Sequence, residues 1–313
     1  MKSESILYVK IRPWRRDAGP RFCVALPFAC RVGIVIGVIN SSFHTHTRLC
    51  KHATGMPADY VNQAARDGAS ALGISDHCPY PDDATWRGSR MSCADVPAYL
   101  ELVRAEKARA PFPLFWGFEC EWHPAFESWY RDYLRGELKA EYLVYGSHWI
   151  GDGGEFFYIP EVAEDRFLRR YVDLTVAGLR TGLYDFFAHP DLFLAGYTSF
   201  TKDVRAACQD IIDVAIEMGL PLEANGLGLD KPKVMGDGGL RAPYPVREFW
   251  ELAAASGALI VCNSDAHRPV DAIAGARKAE SFLTGLGITP VETFDALSFT
   301  GSTAGQRLAN RTA

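Results

Sequence analysis

The chain of 313 residues has no Cys-x-x-Cys pair, no excess of basic charge and no apolar run of the ~18 residues that a membrane span needs. Its eight cysteines (Cys23, Cys30, Cys50, Cys78, Cys93, Cys120, Cys208 and Cys262) are scattered. That spacing excludes a zinc ribbon or a thioredoxin-type redox pair, and in a chain of this size it reads as reduced intracellular thiols and a cytoplasmic protein. With 33 basic against 38 acidic residues the net charge is −5. Nothing in that balance attracts a phosphate backbone, so neither nucleic acid nor membrane is expected as a partner. Gly-x-Ser-x-Gly and Gly-x-x-x-x-Gly-Lys-Ser/Thr are also missing, which argues against a serine-hydrolase elbow and a P-loop. Histidine is scarce too, at eight residues, but its placement is informative.

From residue 33 onward, short β-branched or aromatic runs alternate with longer amphipathic segments. Strands are expected at Gly33–Asn40, Ala71–Ser75, Pro113–Cys120, Glu141–Ser147, Tyr184–Ala188, Leu220–Ala224 and Ala258–Cys262. Helical patterns fall between them, at Met56–Arg66, Asp95–Ala110, Pro124–Leu134, Val162–Leu179, Asp203–Met218, Val246–Ala255 and Val270–Leu286. Gly151–Glu155 and Lys231–Gly239 read as excursions from a single domain spanning residues 31–313. Before it, Arg12, Arg15, Arg16 and Arg21 precede the apolar Cys23–Ile39, which Arg31 interrupts. Residues 1–30 are read as an N-terminal extension, with an export signal or a downstream translation start as the rival readings.

Seven strands alternating with helices suit either an open parallel sheet or a closed α/β barrel. The polar residues decide between them. The strands run in turn into His44 and His46, His77, Glu119, His148, His189, Asn225, and Asp265 with His267. Strands in an open sheet are spaced about 4.8 Å apart, which would string these residues along a line. A barrel gathers them at one mouth. Residues i and i+2 of an extended chain face the same way, so His44 pairs with His46 and Asp265 with His267. With His52 nearby, this makes nine imidazole and carboxylate ligands of the kind that suit Zn, Mn or Fe. One zinc takes four or five ligands, so nine imply two or three ions. Such a cluster lowers the pKa of water and clamps phosphoryl oxygens during in-line displacement, which points to phosphoester hydrolysis. Metal-assisted amide hydrolysis or deamination is the competing chemistry.

His44-Thr45-His46-Thr47 with Cys50 and His52 resembles the opening motif of the polymerase and histidinol phosphatase (PHP) superfamily. Ser75-Asp76-His77, Gly117-Phe118-Glu119, Ser147-His148, Ala188-His189-Pro190-Asp191 and Asn263-Ser264-Asp265-Ala266-His267 resemble its further motifs, in order, over residues 36 to 270. The resemblance implies a distorted seven-stranded (β/α)7 barrel holding up to three divalent ions. By analogy His44, His46, Glu119 and Asp265 would hold one ion. Glu119 would bridge to a second with His148 and His189, and His52, His77 and His267 would take a third. The Cys50–His52 segment, Trp86 to Met91 and Ala242–Trp250 look most like the branch that hydrolyses L-histidinol phosphate in histidine biosynthesis. Another small phosphoester, such as a nucleotide or a phosphodiester, is the alternative substrate, and a non-catalytic metal-stabilised scaffold is the alternative role.

Phosphate also needs cationic or amide donors. Arg90 and Arg268 are the candidates, Lys231 and Lys233 the reserves, and Asn225 a possible hydrogen-bonding partner of the substrate. Asp265 and His267 are the candidates for protonating the leaving alcohol. Glu121 shares the strand face of Glu119 and is the rival ligand there. Asp76 and Asp191 read as orienting residues, Cys50 as a buried thiol and His123 as a loop residue.

Overall fold

The computed structural model describes residues 38–152 and 155–297. The expected extension over residues 1–30, and residues 33–37 of the first expected strand, lie outside the described residues.

Seven strands form one sheet in chain order: β1 (Ser41–Ser42), β2 (Ala71–Ile74), β3 (Leu114–Cys120), β4 (Tyr142–Tyr145), β5 (Phe186–Phe187), β6 (Leu222–Asn225) and β7 (Ile260–Asn263). Every neighbouring pair is parallel. Past the strand ends, the His46 amide donates to the Ala266 carbonyl at 2.8 Å, and the Ala266 amide donates to the His44 carbonyl at 3.2 Å. These bonds tie the first strand to the last, so the sheet is a nearly closed barrel. The principal helices α1 (Pro57–Arg66), α2 (Val96–Arg109), α3 (Asp165–Arg180), α4 (Lys202–Glu217) and α5 (Arg247–Ala255) return the chain from one strand to the next, and α6 (Ala274–Gly285) follows β7.

Side chains of β4 divide by parity, as a pleated strand requires. Leu143 and Tyr145 join the large core shared with the helices, whereas Tyr142 and Val144 join a smaller cluster with Phe43, Phe186 and Ala188. That second cluster consists largely of alternate strand residues and plugs the barrel beneath the mouth. Gly73 makes room for it, since a Cβ there would lie 2.3 Å from the Tyr142 hydroxyl and 2.8 Å from the Phe43 ring.

The structure corrects two expectations and adds detail to a third. Among the described residues the first strand is Ser41–Ser42, and residues 38–40 of the expected strand are not part of it: Val38 is exposed, and the Ile39 and Asn40 amides donate to the carboxylates of Glu280 and Glu292. Small serines fit the closure, where the Ser42 and Ser264 hydroxyls meet at 2.8 Å. The helix expected over Pro124–Leu134 is a 3₁₀ turn (Pro124–Phe126) followed by a π-helix (Trp129–Glu137). There the Leu138 amide reaches the Tyr133 carbonyl, while Trp129 stacks on Tyr133 at 4.0 Å and donates its indole N–H to Pro79. The two excursions are antiparallel hairpins, Trp149–Asp152 with Glu155–Tyr158 and Val234–Gly236 with Gly239–Arg241.

Candidate metal centre

Because the strands are parallel, their carboxyl ends share one rim, where βα connections carry functional side chains. His44 and His46 follow β1, His77 follows β2, Glu119 lies near the end of β3, His148 follows β4, His189 follows β5, and Asp265 with His267 follow β7. His52 comes from the turn after β1 and is the most exposed of the set.

Glu119 sits at the centre. Its Oε1 lies 3.0 Å from His189 Nε2, 3.4 Å from His44 Nε2 and 3.6 Å from His148 Nε2. Its Oε2 lies 2.9 Å from His77 Nδ1 and 3.5 Å from His46 Nε2. Asp265 Oδ1 lies 3.1 Å from His46 Nε2 and 3.5 Å from both His44 Nε2 and His267 Nδ1. Atoms bound at 2.0–2.2 Å to one tetrahedral cation stand about 3.3–3.6 Å apart, which suits the distances of 3.4, 3.5 and 3.6 Å here, while His77 and His189 lie at hydrogen-bond distance from Glu119. Among the described residues, buried His44 Nε2, His46 Nε2, Glu119 Oε2 and His189 Nδ1 have no hydrogen-bond partner. Five triplets in this cluster have their donor atoms within 4.8 Å of one another, including His44–His46–Asp265, His44–Glu119–His189 and His52–His77–His267.

Electrostatics point the same way. Burial disfavours charge on His46, yet Asp265 and Asp76 raise it to about 9. His44 is likewise raised well above its ordinary value against burial, by Glu223, Asp265 and Glu119. Glu119 and Asp265 are held well below the usual carboxylate range despite burial, through His44 and its neighbours. Without cations the pocket therefore gathers protons around two buried anions. Neutral imidazoles surround that pair, since burial and His46 push His77 well down and His267 down to about 3. The donor set fits divalent cations. Asp265 and His267, both deprotonated at neutral pH in this state, suit ligation better than proton donation.

Two candidate ligand positions are strained: His189 has φ +33° and Asp265 φ +51°, a region that side chains with a Cβ seldom occupy and that recurs at functional sites. Gly146 is required by the site, because a Cβ there would lie 2.4 Å from Glu119 Oε1 and 2.8 Å from the His148 ring.

Of the remaining residues singled out in the sequence, Glu121 does not replace Glu119; it accepts from His148 Nδ1 at 2.6 Å and from the His148 amide at 2.9 Å. Arg90 is buried and donates to the carbonyls of Cys78 and Trp86, packed over the Tyr80 and Trp86 rings and 4.0 Å from Glu121. In this state its guanidinium braces the loop that carries Cys78 and Trp86. Arg268 is exposed and bound to Asp271, and Lys231 and Lys233 are exposed. Asn225 donates to Glu223 and Asp265, which uses the amide hydrogens proposed for substrate. Asp76 accepts from the Thr47 amide and hydroxyl, and Asp191 from the Val246 amide and Trp250 indole, so both orient backbone around the rim. Burial pushes the Cys50 thiol up to about 12, and His123 accepts from the Ala125 amide beyond the cluster. Glu223 escaped the sequence reading; its one signal was its position two residues before Asn225, on the same strand face.

A PHP domain model matches residues 42–226, the segment that runs from the end of β1 through β6 and carries most of the candidate ligands. The chain belongs to the PHP domain family. This PHP domain is 32% identical over 237 residues to a protein of Deinococcus radiodurans named "Probable histidinol-phosphatase", covering 72% of this chain and 85% of the relative. Its fold is similar to that of the histidinol phosphate phosphatase of Lactococcus lactis, solved with zinc, L-histidinol and phosphate. There the identity is 16%, the TM-score 0.61, and coverage 82% of this chain and 97% of that one. The HisK protein of Listeria monocytogenes aligns at 21% identity with a TM-score of 0.57, over 74% and 96% of the two chains.

Proposed function

We propose that this PHP domain is a metal-dependent phosphomonoesterase that hydrolyses L-histidinol phosphate to L-histidinol and phosphate. The observation that carries the reading is the ring of histidine and carboxylate atoms at ligand spacing around Glu119, together with the 32% identity to a named histidinol-phosphatase. The described residues from 38 to 297 are read as one domain bearing that site, with residues 1–30 as an extension. A biosynthetic role of this kind belongs in the cytoplasm.

His44, His46, Glu119 and Asp265 would hold one ion, Glu119 with His148 and His189 a second, and His52, His77 and His267 a third. Bound divalent ions, whether Zn, Mn or Fe, supply Lewis acidity and make water a nucleophile near neutral pH. The chain's own part is positional. Glu119 draws five imidazoles toward one point, the strained backbone at His189 and Asp265 aims their side chains inward, and the apolar plug beneath the site leaves the reaction open on one side. The Glu121–His148 pair fixes one imidazole so that Nε2 faces Glu119. Arg90, 4.0 Å from Glu121, and Arg268, bound to Asp271, would be the guanidinium groups nearest to hand for a phosphoryl group.

The test is phosphate release by the purified, metal-quantified protein from L-histidinol phosphate and from a generic aryl phosphate. The reading requires kcat/KM for L-histidinol phosphate to exceed that for the aryl ester by at least about 100-fold, roughly 2.7 kcal/mol of preference. Equal rates on both would favour a phosphatase of different substrate. No turnover of either, with two or more ions bound, would favour the scaffold role.

A further inference from the structure

Glu223 belongs to none of the sequence motifs, yet it is completely buried behind His44. Its two oxygens lie 3.1 and 2.9 Å from His44 Nδ1. The Asn225 amide donates to Oε1 at 2.7 Å and the Asn263 amide to Oε2 at 3.1 Å. Both amides are committed elsewhere as well: Asn225 Nδ2 also reaches Asp265 Oδ2 at 3.2 Å, while Asn263 Oδ1 accepts from the Phe43 amide at 2.8 Å and the Thr293 hydroxyl at 3.1 Å. Among the described residues, the only ionisable partner of Glu223 is His44.

A carboxylate removed from water with two neutral donors and one imidazole is costly as packing alone, because buried charge needs compensation. The arrangement makes sense if compensation comes from beyond His44. An anion on Nδ1 makes Nδ1 the protonated nitrogen and Nε2 the lone-pair nitrogen, aims that lone pair away from Glu223 and raises the ring's basicity as a ligand. His44 Nε2 points to Glu119 and Asp265, the two carboxylates at the heart of the cluster. Asn225 meanwhile links Glu223 to Asp265, so one amide sets the spacing of a ligand and of the group that orients another.

We propose that Glu223 is a positioning residue for the metal centre, held by Asn225 and Asn263, which sets the tautomer and direction of His44 and thereby the affinity of the ion that His44 shares with Asp265. This rests on reading the cluster as a divalent-cation site, but not on which phosphoester is the substrate.

The experiment measures Zn²⁺ and Co²⁺ affinity of the full chain by competition with a chromophoric chelator, along with the visible spectrum of the Co²⁺ form, for the parent, Glu223→Gln and Glu223→Asp. Glu223→Gln keeps the shape and removes the charge. It should weaken the tightest ion by about 10–100-fold and shift the Co²⁺ bands, with the far-ultraviolet dichroism unchanged. Glu223→Asp keeps the charge and withdraws the oxygens, and should lose less; it decides the matter if the Gln variant does not fold. Affinities and bands within twofold of the parent, with only a lower Tm, would overturn the proposal in favour of packing. A parent that binds no divalent ion would instead overturn the proposed function.

Discussion

Glu121 Oε1 lies 2.6 Å from His148 Nδ1, so this imidazole is gripped from behind and turns Nε2 toward Glu119, 3.6 Å away. Glu121→Gln keeps an acceptor of the same shape but removes the charge. Loss of such an orienting partner typically costs 10–100-fold, so kcat/KM should fall by about that factor with Tm little changed. Steady-state rates and a melting curve on the same preparation check this.

Arg90 stands behind Glu121 with its charge spent on the Cys78 and Trp86 carbonyls. Replacing it by Met leaves those acceptors and Glu121 without their cation, and should destabilise the fold by on the order of 3 kcal/mol. Denaturant midpoints measure that loss. Unchanged stability with a KM raised tenfold or more would restore the phosphate-binding role expected from the sequence.

Gly146→Ala places a methyl group where Glu119 and His148 now approach. Neither partner has slack, because both belong to the cluster. Activity should drop more than 100-fold, whereas the helices and outer core, which the methyl does not touch, should keep their far-ultraviolet signal.

Metal loading should be coupled to protons. In the stripped protein His46 is raised to about 9, so at pH 7.5 it carries a proton that a cation must displace. Binding should therefore weaken as pH falls, and calorimetric heats should differ between buffers of unlike ionisation enthalpy. The raised pKa also contributes stability that is fully present below the unfolded value near 6.5 and is lost as pH rises through about 9. The stripped protein should accordingly melt lower at pH 9.5 than at pH 6.5. Heats that do not depend on buffer would contradict this.

The barrel and its rim were legible because both follow from local rules. Strand periodicity located β2, β3 and β4 within a residue or two, and the i, i+2 spacing brought His44 beside His46. What the sequence concealed depends on tertiary neighbours. Among the described residues β1 starts at Ser41, and its two buried serines carry no apolar strand pattern. The π-helix over Trp129–Glu137 differs from an α-helix in its backbone pairing, Leu138 to Tyr133, which apolar spacing does not encode. Arg90, Asn225 and Glu223 are polar residues whose roles depend on which group stands opposite, and a single strand pattern carries no record of that.

The most direct measurement is phosphate release from L-histidinol phosphate while a divalent ion is titrated into the stripped full-length protein. The account predicts no release at zero occupancy, a rise as bound equivalents accumulate, and a plateau at two or three. Full occupancy without phosphate release, or undiminished release from the stripped protein, would contradict it.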